Sequence, residues 1–498
     1  MWIRHLALLF TSAVIMTITA NAAEADPAAA QGDRPFVNPT GELTLADALA
    51  LALEQNPTIE AFSWDVRAAE AKQLQAGLRP NPELSLEVEN LRYQQGPRST
   101  GTRLGATGTL GGFSPEFERT RESGAESGLA ESEVTLGISQ LVELGGKRAK
   151  RIQAASRERE VAAWDYEITR ANVLTDTAKA FYAVVSAQAR VTLGEELEAL
   201  AKQVLDTVIA RVEAGKVSPI ERTRGEVEYA ATTIELERTR REMKAARIQL
   251  ATHWGATTAA FSTALGGLAE SSSLPPLSDL QKRAEGIPDV SRWMAELEQR
   301  DAAIDLERAN AKPDLTVSLG LRSTGVGSRQ EMASGFSLAG DWSRSRTEIS
   351  PDDSREEMLA LGFSLPLPLA NRNQGRIREA QHLAAKAAAQ KRSEDVGIQA
   401  KLATTYFAVD AVVVELQTLR EEILPKAQEA FDATNEGYRN GKFGLLDVLQ
   451  AQHTLFENRA RLLEAQAAYS QGVVDVERLT GLSLFPELKP ITSQEEKQ

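Results

Sequence analysis

Four short stretches of this chain alternate between apolar and polar positions, the period-two pattern of a strand with unlike faces. Leu84, Leu86 and Val88 interleave with Ser85, Glu87 and Glu89, and Val134, Leu136 and Ile138 with Thr135, Gly137 and Ser139. Leu315, Val317, Leu319 and Leu321 interleave with Thr316, Ser318, Gly320 and Arg322, and Leu359, Leu361, Phe363 and Leu365 with Ala360, Gly362 and Ser364. Strands are therefore expected over about 83–90, 132–140, 314–322 and 357–366, each near the ~9–11 residues of a tilted membrane β-strand. Polar, Gly-rich stretches, Arg92 to Glu131 and Ser323 to Arg355, separate the members of each pair. They are long for soluble hairpin turns and suit the extracellular loops of an outer-membrane barrel. A soluble four-stranded sheet is the competing reading of the pattern alone.

The rest of the pattern is helical. A first helix is expected from about Thr44 to Leu78, stopped by Arg79-Pro80-Asn81-Pro82, and a second from about Pro288 to Ala311, stopped before Pro313. From Gly145 to Ala214 there is no proline and only Gly194 as interior glycine, so one helix could run on the order of 100 Å. Its stripe of Leu193, Leu197, Leu200, Val204, Val208 and Val212 has the narrow spacing of a coiled coil. Near the C-terminus Val448, Leu455, Leu462, Tyr469 and Val476 recur every seven residues, the period of a supercoiled seam.

These elements occur twice in the same order. Asn56-Pro57 aligns with Ile287-Pro288, Pro82-Glu83-Leu84 with Pro313-Asp314-Leu315, and Arg151-Ile152 with Arg376-Ile377. Phe181-Tyr182 then meets Tyr406-Phe407, Gly215-Lys216 meets Gly441-Lys442, Glu221 meets Asp447, and Gly255 meets Gly481. A period of this length marks a duplicated whole unit, not a solenoid. The expected organisation is a first repeat over 43–255, a connector over 256–286 and a second repeat over 287–485. Flexible segments are expected over 23–42 and 486–498.

The start of the chain reads as a cleaved secretory signal over 1–22: a basic Met1 to Arg4, an apolar run from Leu6 to Ala20, and small residues at Ala20-Asn21-Ala22. No later run reaches the ~18 consecutive apolar residues of a spanning helix. With no cysteine, disulfides, Cys-ligated zinc, thiol catalysis and an N-terminal lipid-bearing cysteine are excluded. A net charge of −14 speaks against a nucleic-acid partner. Backbone groups in lipid must be paired, so four strands can span a membrane only if several chains share one barrel. Two chains would supply about eight strands and three about twelve, and a transport path favours the larger count.

With these elements in place the chain resembles the TolC family of outer-membrane efflux proteins, from about Leu43 to Leu484. Gly437-Tyr438-Arg439-Asn440-Gly441-Lys442, followed by Leu446-Asp447-Val448-Leu449, looks like that family's periplasmic hairpin tip. Gln140-Leu141-Val142-Glu143-Leu144-Gly145-Gly146-Lys147-Arg148 is similar to the heavy-metal branch, the CzcC-type components of cobalt–zinc–cadmium efflux. The resemblance implies a mainly α fold with membrane β: an internally duplicated TolC-like chain giving four strands to a trimeric twelve-strand barrel, continued by an antiparallel coiled-coil tunnel. It implies a homotrimer in the outer membrane of a Gram-negative bacterium, in contact with outer-membrane lipid. Its expected partners are a periplasmic adaptor and an inner-membrane pump of the resistance–nodulation–division class. The expected function is passive conduction of exported substrate, divalent metal cations on the branch resemblance.

The hairpin tips carry the candidate site. Gly215, Lys216, Ser218 and Pro219 form one tip, and Gly441, Lys442, Phe443, Gly444 and Leu445 the other. Glycine permits the chain reversal and Pro219 suits a first helical turn. In the resembling family, carboxylates in the tip helix form the tunnel constriction. Asp447 matches the first of these, Gln450 stands where a second aspartate is expected, Tyr438 matches a tyrosine that holds the closed state, and Phe443 replaces a basic partner. Glu221 takes the position of Asp447 in the first repeat. A ring of such carboxylates would concentrate cations, whereas a helix N-terminus by itself also favours Asp447 and Glu221.

Enzyme and cofactor chemistry find no support. Gly145-Gly146-Lys147 is followed by Arg148 where a phosphate loop needs Ser or Thr, and HExxH and GxSxG are absent. His253, His382 and His453 lack ligand spacing, so no metal site and no cofactor are expected. The competing classes are a duct for organic compounds or secreted proteins, and a soluble periplasmic coiled-coil scaffold or adaptor.

Overall fold

The computed structural model describes residues 36–93, 100–109, 112–120, 133–268, 274–325, 334–336, 342–344 and 355–482. The expected signal peptide, most of the 23–42 segment, parts of both long loops and the tail over 486–498 lie outside these residues. Strands β1 (Gly41–Thr44), β2 (Glu83–Tyr93), β3 (Thr100–Thr109), β4 (Gly112–Thr120) and β5 (Glu133–Val142) belong to the first half. The connector holds β6 (Phe261–Leu265), and β7 (Leu315–Gly325), β8 (Ser334–Phe336), β9 (Trp342–Arg344) and β10 (Arg355–Ser364) belong to the second half. The helices are α1 (Leu45–Gln55), α2 (Pro57–Gly77), α3 (Lys147–Glu213), α4 (Pro219–Thr252), α5 (Leu277–Ala284), α6 (Pro288–Asn310), α7 (Gln374–Thr418), α8 (Leu424–Arg439) and α9 (Leu445–Thr480).

The four expected strands lie side by side, antiparallel, in the order β10-β7-β5-β2, so β5 and β7 join the two halves in one sheet. Their register aligns the apolar positions into rows. Leu84, Ile138, Leu319 and Leu361 form one row, and Leu86, Leu136, Leu321 and Leu359 the next. The adjacent outer row is apolar on β2 and β5, at Val88 and Val134, but polar on β7 and β10, at Ser323 and Glu357. Leu84, Leu86, Leu136, Leu321, Leu359, Leu361 and Phe363 are all exposed, a contiguous apolar face of the kind that meets lipid. On the opposite face one row is small, Ser85, Gly137, Gly320 and Ala360, and the next holds Glu87, Thr135, Arg322 and Met358. The sheet continues beyond β2 through β3 and β4, in the stretch expected to be loop. Thr and Gly dominate β3, so no apolar period announced it.

Two compact units emerge, one holding 36–57, 176–268 and 419–467, the other 58–175, 274–418 and 468–482. In the first, Val204 and Val208 of α3, Ala427, Phe431 and Tyr438 of α8, and Leu445, Val448, Leu455 and Phe456 of α9 bury a common seam. Each large side chain so buried contributes about 1.5–3 kcal/mol, and the seam uses the α3 stripe together with Val448 and Leu455 of the C-terminal one. Also in this unit, β1 pairs in parallel with β6, so Gly41 and Glu42, expected to be flexible, are held in a strand. Trp254 and Phe261 are fully buried, with ring centroids 6.1 Å apart. In the second unit the connector helix α5 buries Leu280 and Ala284 against Leu402 of α7 and Val476 and Leu479 of α9.

The single helix expected over Thr44–Leu78 is two. Thr44 caps α1 through a reciprocal pair of bonds with Asp47. Pro57 then disfavours helix at Asn56, which is extended at ψ 120°. The helical stretch Gln374–Arg439 contains one window long and apolar enough to cross a membrane by length and composition, and the stretch has exposed apolar positions such as Phe407 and Val414.

The two faces of the sheet predict opposite responses to charge. Leu361→Arg should destabilise the protein reconstituted in lipid vesicles by about 2–4 kcal/mol, read as a lower urea midpoint of unfolding. Ala360→Gln, on the other face, should leave that midpoint in place.

Candidate functional site at the hairpin tips

The two tips use one turn twice. After α3, the Gly215 N–H donates to the Val212 carbonyl at 2.9 Å and the Lys216 N–H to the Arg211 carbonyl at 2.9 Å. After α8, the Gly441 N–H donates to the Tyr438 carbonyl at 2.9 Å and the Lys442 N–H to the Gly437 carbonyl at 2.8 Å. Both are the Schellman arrangement, which needs a left-handed residue, and Gly215 (φ 65°) and Gly441 (φ 74°) supply it. Ser218 then precedes α4 without a side-chain cap, and Pro219 fills the first turn.

Tyr438 is the centre of this region. It is only 2% exposed, and its hydroxyl donates to Glu221 Oε2 at 3.2 Å, joining the start of α4 to the end of α8. Arg211, in the last turn of α3, lies 4.3 Å over the Tyr438 ring and donates to the Tyr438 carbonyl, a cation–π contact backed by a charge-assisted bond. The resemblance leads one to expect Tyr438 and Glu221 at a gate, with Phe443 where a basic partner would stand. The cation that the structure brings to Tyr438 is Arg211, from the other hairpin. The signal was present in the duplication, because Arg211 is the repeat equivalent of Gly437. Phe443 instead lies across Gly437, where any Cβ would collide with its ring.

Asp447 and Gln450 are not brought into this cluster. The Asp447 carboxylate accepts from the Gly444 N–H at 2.9 Å, a helix-starting role, and both residues are exposed. Lys216, Lys442 and Phe443 are exposed on the turns, whereas Leu445 is buried in the seam. Of the histidines, His453 pairs with Glu228 at 3.0 Å, and burial lowers the pKa of His253. Among the described residues no group of three or more His, Cys, Asp or Glu is arranged to hold a metal.

The strand-to-helix segment Glu143 to Arg148 is a brace. Gly145 and Gly146 are left-handed at φ 72° and 73°. The Leu144 N–H and Lys147 Nζ both reach the Asp314 carboxylate, at 3.0 and 2.6 Å. Glu143 pairs with Arg151. Arg148 and Arg151 donate to the carbonyls of Ala76, Gly77 and Leu78, closing the end of α2, where helix carbonyls lack internal partners.

The Outer membrane efflux protein family model matches residues 48–256 and 280–482. This chain belongs to that family. Over 441 residues it is 31% identical to the cobalt-zinc-cadmium resistance protein CzcC of Cupriavidus metallidurans, covering 89% of this chain and 90% of that one. It is 26% identical to the nickel-cobalt-cadmium resistance protein NccC of Alcaligenes xylosoxydans xylosoxydans over 372 residues, 73% and 70% of the two chains. Among solved structures it matches CusC with a TM-score of 0.64 at 16% identity, covering 88% of this chain and 92% of that one. The outer membrane protein VceC of Vibrio cholerae matches with a TM-score of 0.61 at 17% identity, covering 88% and 96%. The fold is thus that of the outer-membrane efflux channels, as the duplicated pattern implied.

Burial pushes the Tyr438 hydroxyl up to about 12, with the Glu221 carboxylate adding to the rise and Arg211 opposing it. A phenol with its folded pKa raised contributes stability that is whole below its unfolded value of about 10 and is lost as pH climbs through about 12. Unfolding of the assembled channel followed from pH 9 to 12 should show this loss in the native chain. The Tyr438→Phe variant should lack it.

Proposed function

We propose that this chain is the outer-membrane duct of a tripartite efflux system that expels divalent heavy-metal cations, fed by a periplasmic adaptor and an inner-membrane pump of the resistance–nodulation–division class. The carrying observation is the 31% identity to CzcC across nearly the full length of both chains. The duct itself is passive. Glu221 and Asp447, repeated by symmetry around an entrance, would raise the local concentration of cations. In this reading the Tyr438–Glu221–Arg211 cluster is the closed state of the gate, held within one chain. The exposed tip residues Lys216, Lys442, Phe443 and Gly444, with Gly215, Ser218, Pro219, Gly441 and Leu445 shaping the turns, form the face that meets the adaptor. The brace at Glu143, Leu144, Gly145, Gly146, Lys147 and Arg148 fixes the strand-to-helix junction.

A homotrimer is supported by α4. Ile220, Val227 and Ile234 recur every seven residues, and Ile248 falls two heptads further on. All four are exposed, Ile234 to 71%, as expected of a seam completed by another copy.

A strain lacking this chain should lose tolerance to zinc, cobalt or cadmium while keeping tolerance to organic toxicants, and re-expression should restore it. Sensitivity to organic compounds alone would overturn the metal assignment and leave a drug duct. Tyr438→Phe combined with Glu221→Gln should raise the resting conductance of the purified channel in planar bilayers several-fold. Val227→Glu with Ile234→Glu should shift the detergent-extracted protein from trimer to monomer in light scattering.

A further inference from the structure

The two repeats differ in one residue of helix length. Tyr406-Phe407 stands 225 residues after Phe181-Tyr182, but Gly441-Lys442 stands 226 after Gly215-Lys216, and the same 226 holds at Asp447 and Gly481. One extra residue therefore lies between Phe407 and Gly441. In the first repeat α3 runs unbroken for 67 residues. In the second repeat, α7 and α8 are joined by a five-residue π turn, Leu419–Ile423, the form in which an α-helix absorbs a single insertion. Pro425 follows at once and cannot donate to a carbonyl of the preceding turn.

In a plain α-helix an added residue would rotate everything beyond it by about 100°, carrying Tyr438 off Glu221 and Arg211. The wide turn takes up that rotation, so landmarks on both sides keep their repeat equivalence. The first repeat connects the same landmarks without such a turn, so reach does not require it. We propose that the π turn is a flexure: α8 and the adjoining start of α9 move about Leu419–Ile423 against the α3–α4 hairpin, which moves as an unbroken arm. This inference rests on the gate reading of Tyr438.

The α8–α9 arm is tied at one place and carries a buried group that its packing leaves unsatisfied. Just beyond the turn, Arg459 of α9 ties it to the first hairpin, donating to Gln428 of α8 at 2.9 Å and to Glu196 of α3 at 3.2 Å. Between that tie and the Tyr438 cluster, Gln452 of α9 is 1% exposed, and among the described residues neither its amide nitrogen nor its oxygen has a partner. An unsatisfied buried amide favours any rearrangement that wets it. The π turn itself faces water at Glu421 and Glu422, so one residue can be removed there without entering the core.

The test is deletion of Glu421 in the full-length chain, alone and with Tyr438→Phe. Deletion should restore a continuous helix like α3, leave the trimer intact and raise its melting temperature. Metal tolerance should fall to that of the null strain, and the double variant should keep the low resting conductance of the closed channel. If Tyr438→Phe opens the channel and the double variant opens as far, the flexure is overturned while the gate stands. If Tyr438→Phe alone leaves conductance unchanged, the gate reading falls and the flexure falls with it. Should the deletion block assembly, Pro425→Ala decides instead: it restores a backbone donor without changing length. It should reduce opening in the same direction, and unchanged opening would count against the flexure.

Discussion

A backbone N–H or carbonyl facing lipid has no water to fall back on, and each one left unpaired costs several kcal/mol. That constraint weighs on the large sheet of this chain. The sheet carries a continuous apolar face, yet among the described residues it ends in open edges at β10 and β4, so it cannot meet lipid alone. In the homotrimer proposed above, other chains pair these edges and the exposed heptads of α4 give them a second place to meet. Oligomerisation is in that reading a condition for the strands to lie in lipid.

The duplication then determines what the helices can do. Two copies of one hairpin supply two identical turns, but opposite residues at equivalent positions. Arg211 answers Gly437, Val212 answers Tyr438, and Val217 answers Phe443. The cluster at the tips is built from that divergence: a cation and a carboxylate from one copy grip a phenol from the other. A glycine beside the phenol clears space for Phe443. A symmetric pair of hairpins would have had nothing to fasten.

Much of this was legible in the sequence because the forces responsible are periodic. The four strands, the long helices and both tips follow from alternation, heptads and internal alignment, whereas Tyr438 stood out only through the family resemblance and its bond to Glu221 is visible only in the structure. The missed features are those without a period. In β3, threonine and glycine leave neither face apolar. Strand β1 is four residues long and is held by β6, more than two hundred residues away in sequence. The break at Asn56 comes from a single proline inside an otherwise good helix. Arg211 escaped notice because its role depends on a neighbour in the other repeat. Glu143 to Arg148 was recognised as a motif, but that it closes the end of α2 could be seen only once Ala76, Gly77 and Leu78 lay beside it.

The staggered boundary of the apolar rows carries one more meaning. The waterline on this sheet is drawn obliquely: it sits one row farther out on β2 and β5 than on β7 and β10. A membrane surface is flat, so an oblique waterline means slanted staves. Strands that lean in this way are what a closed cylinder of β-structure requires, and the stagger is written in Val88 and Val134, which carry the apolar face one row beyond the last leucines.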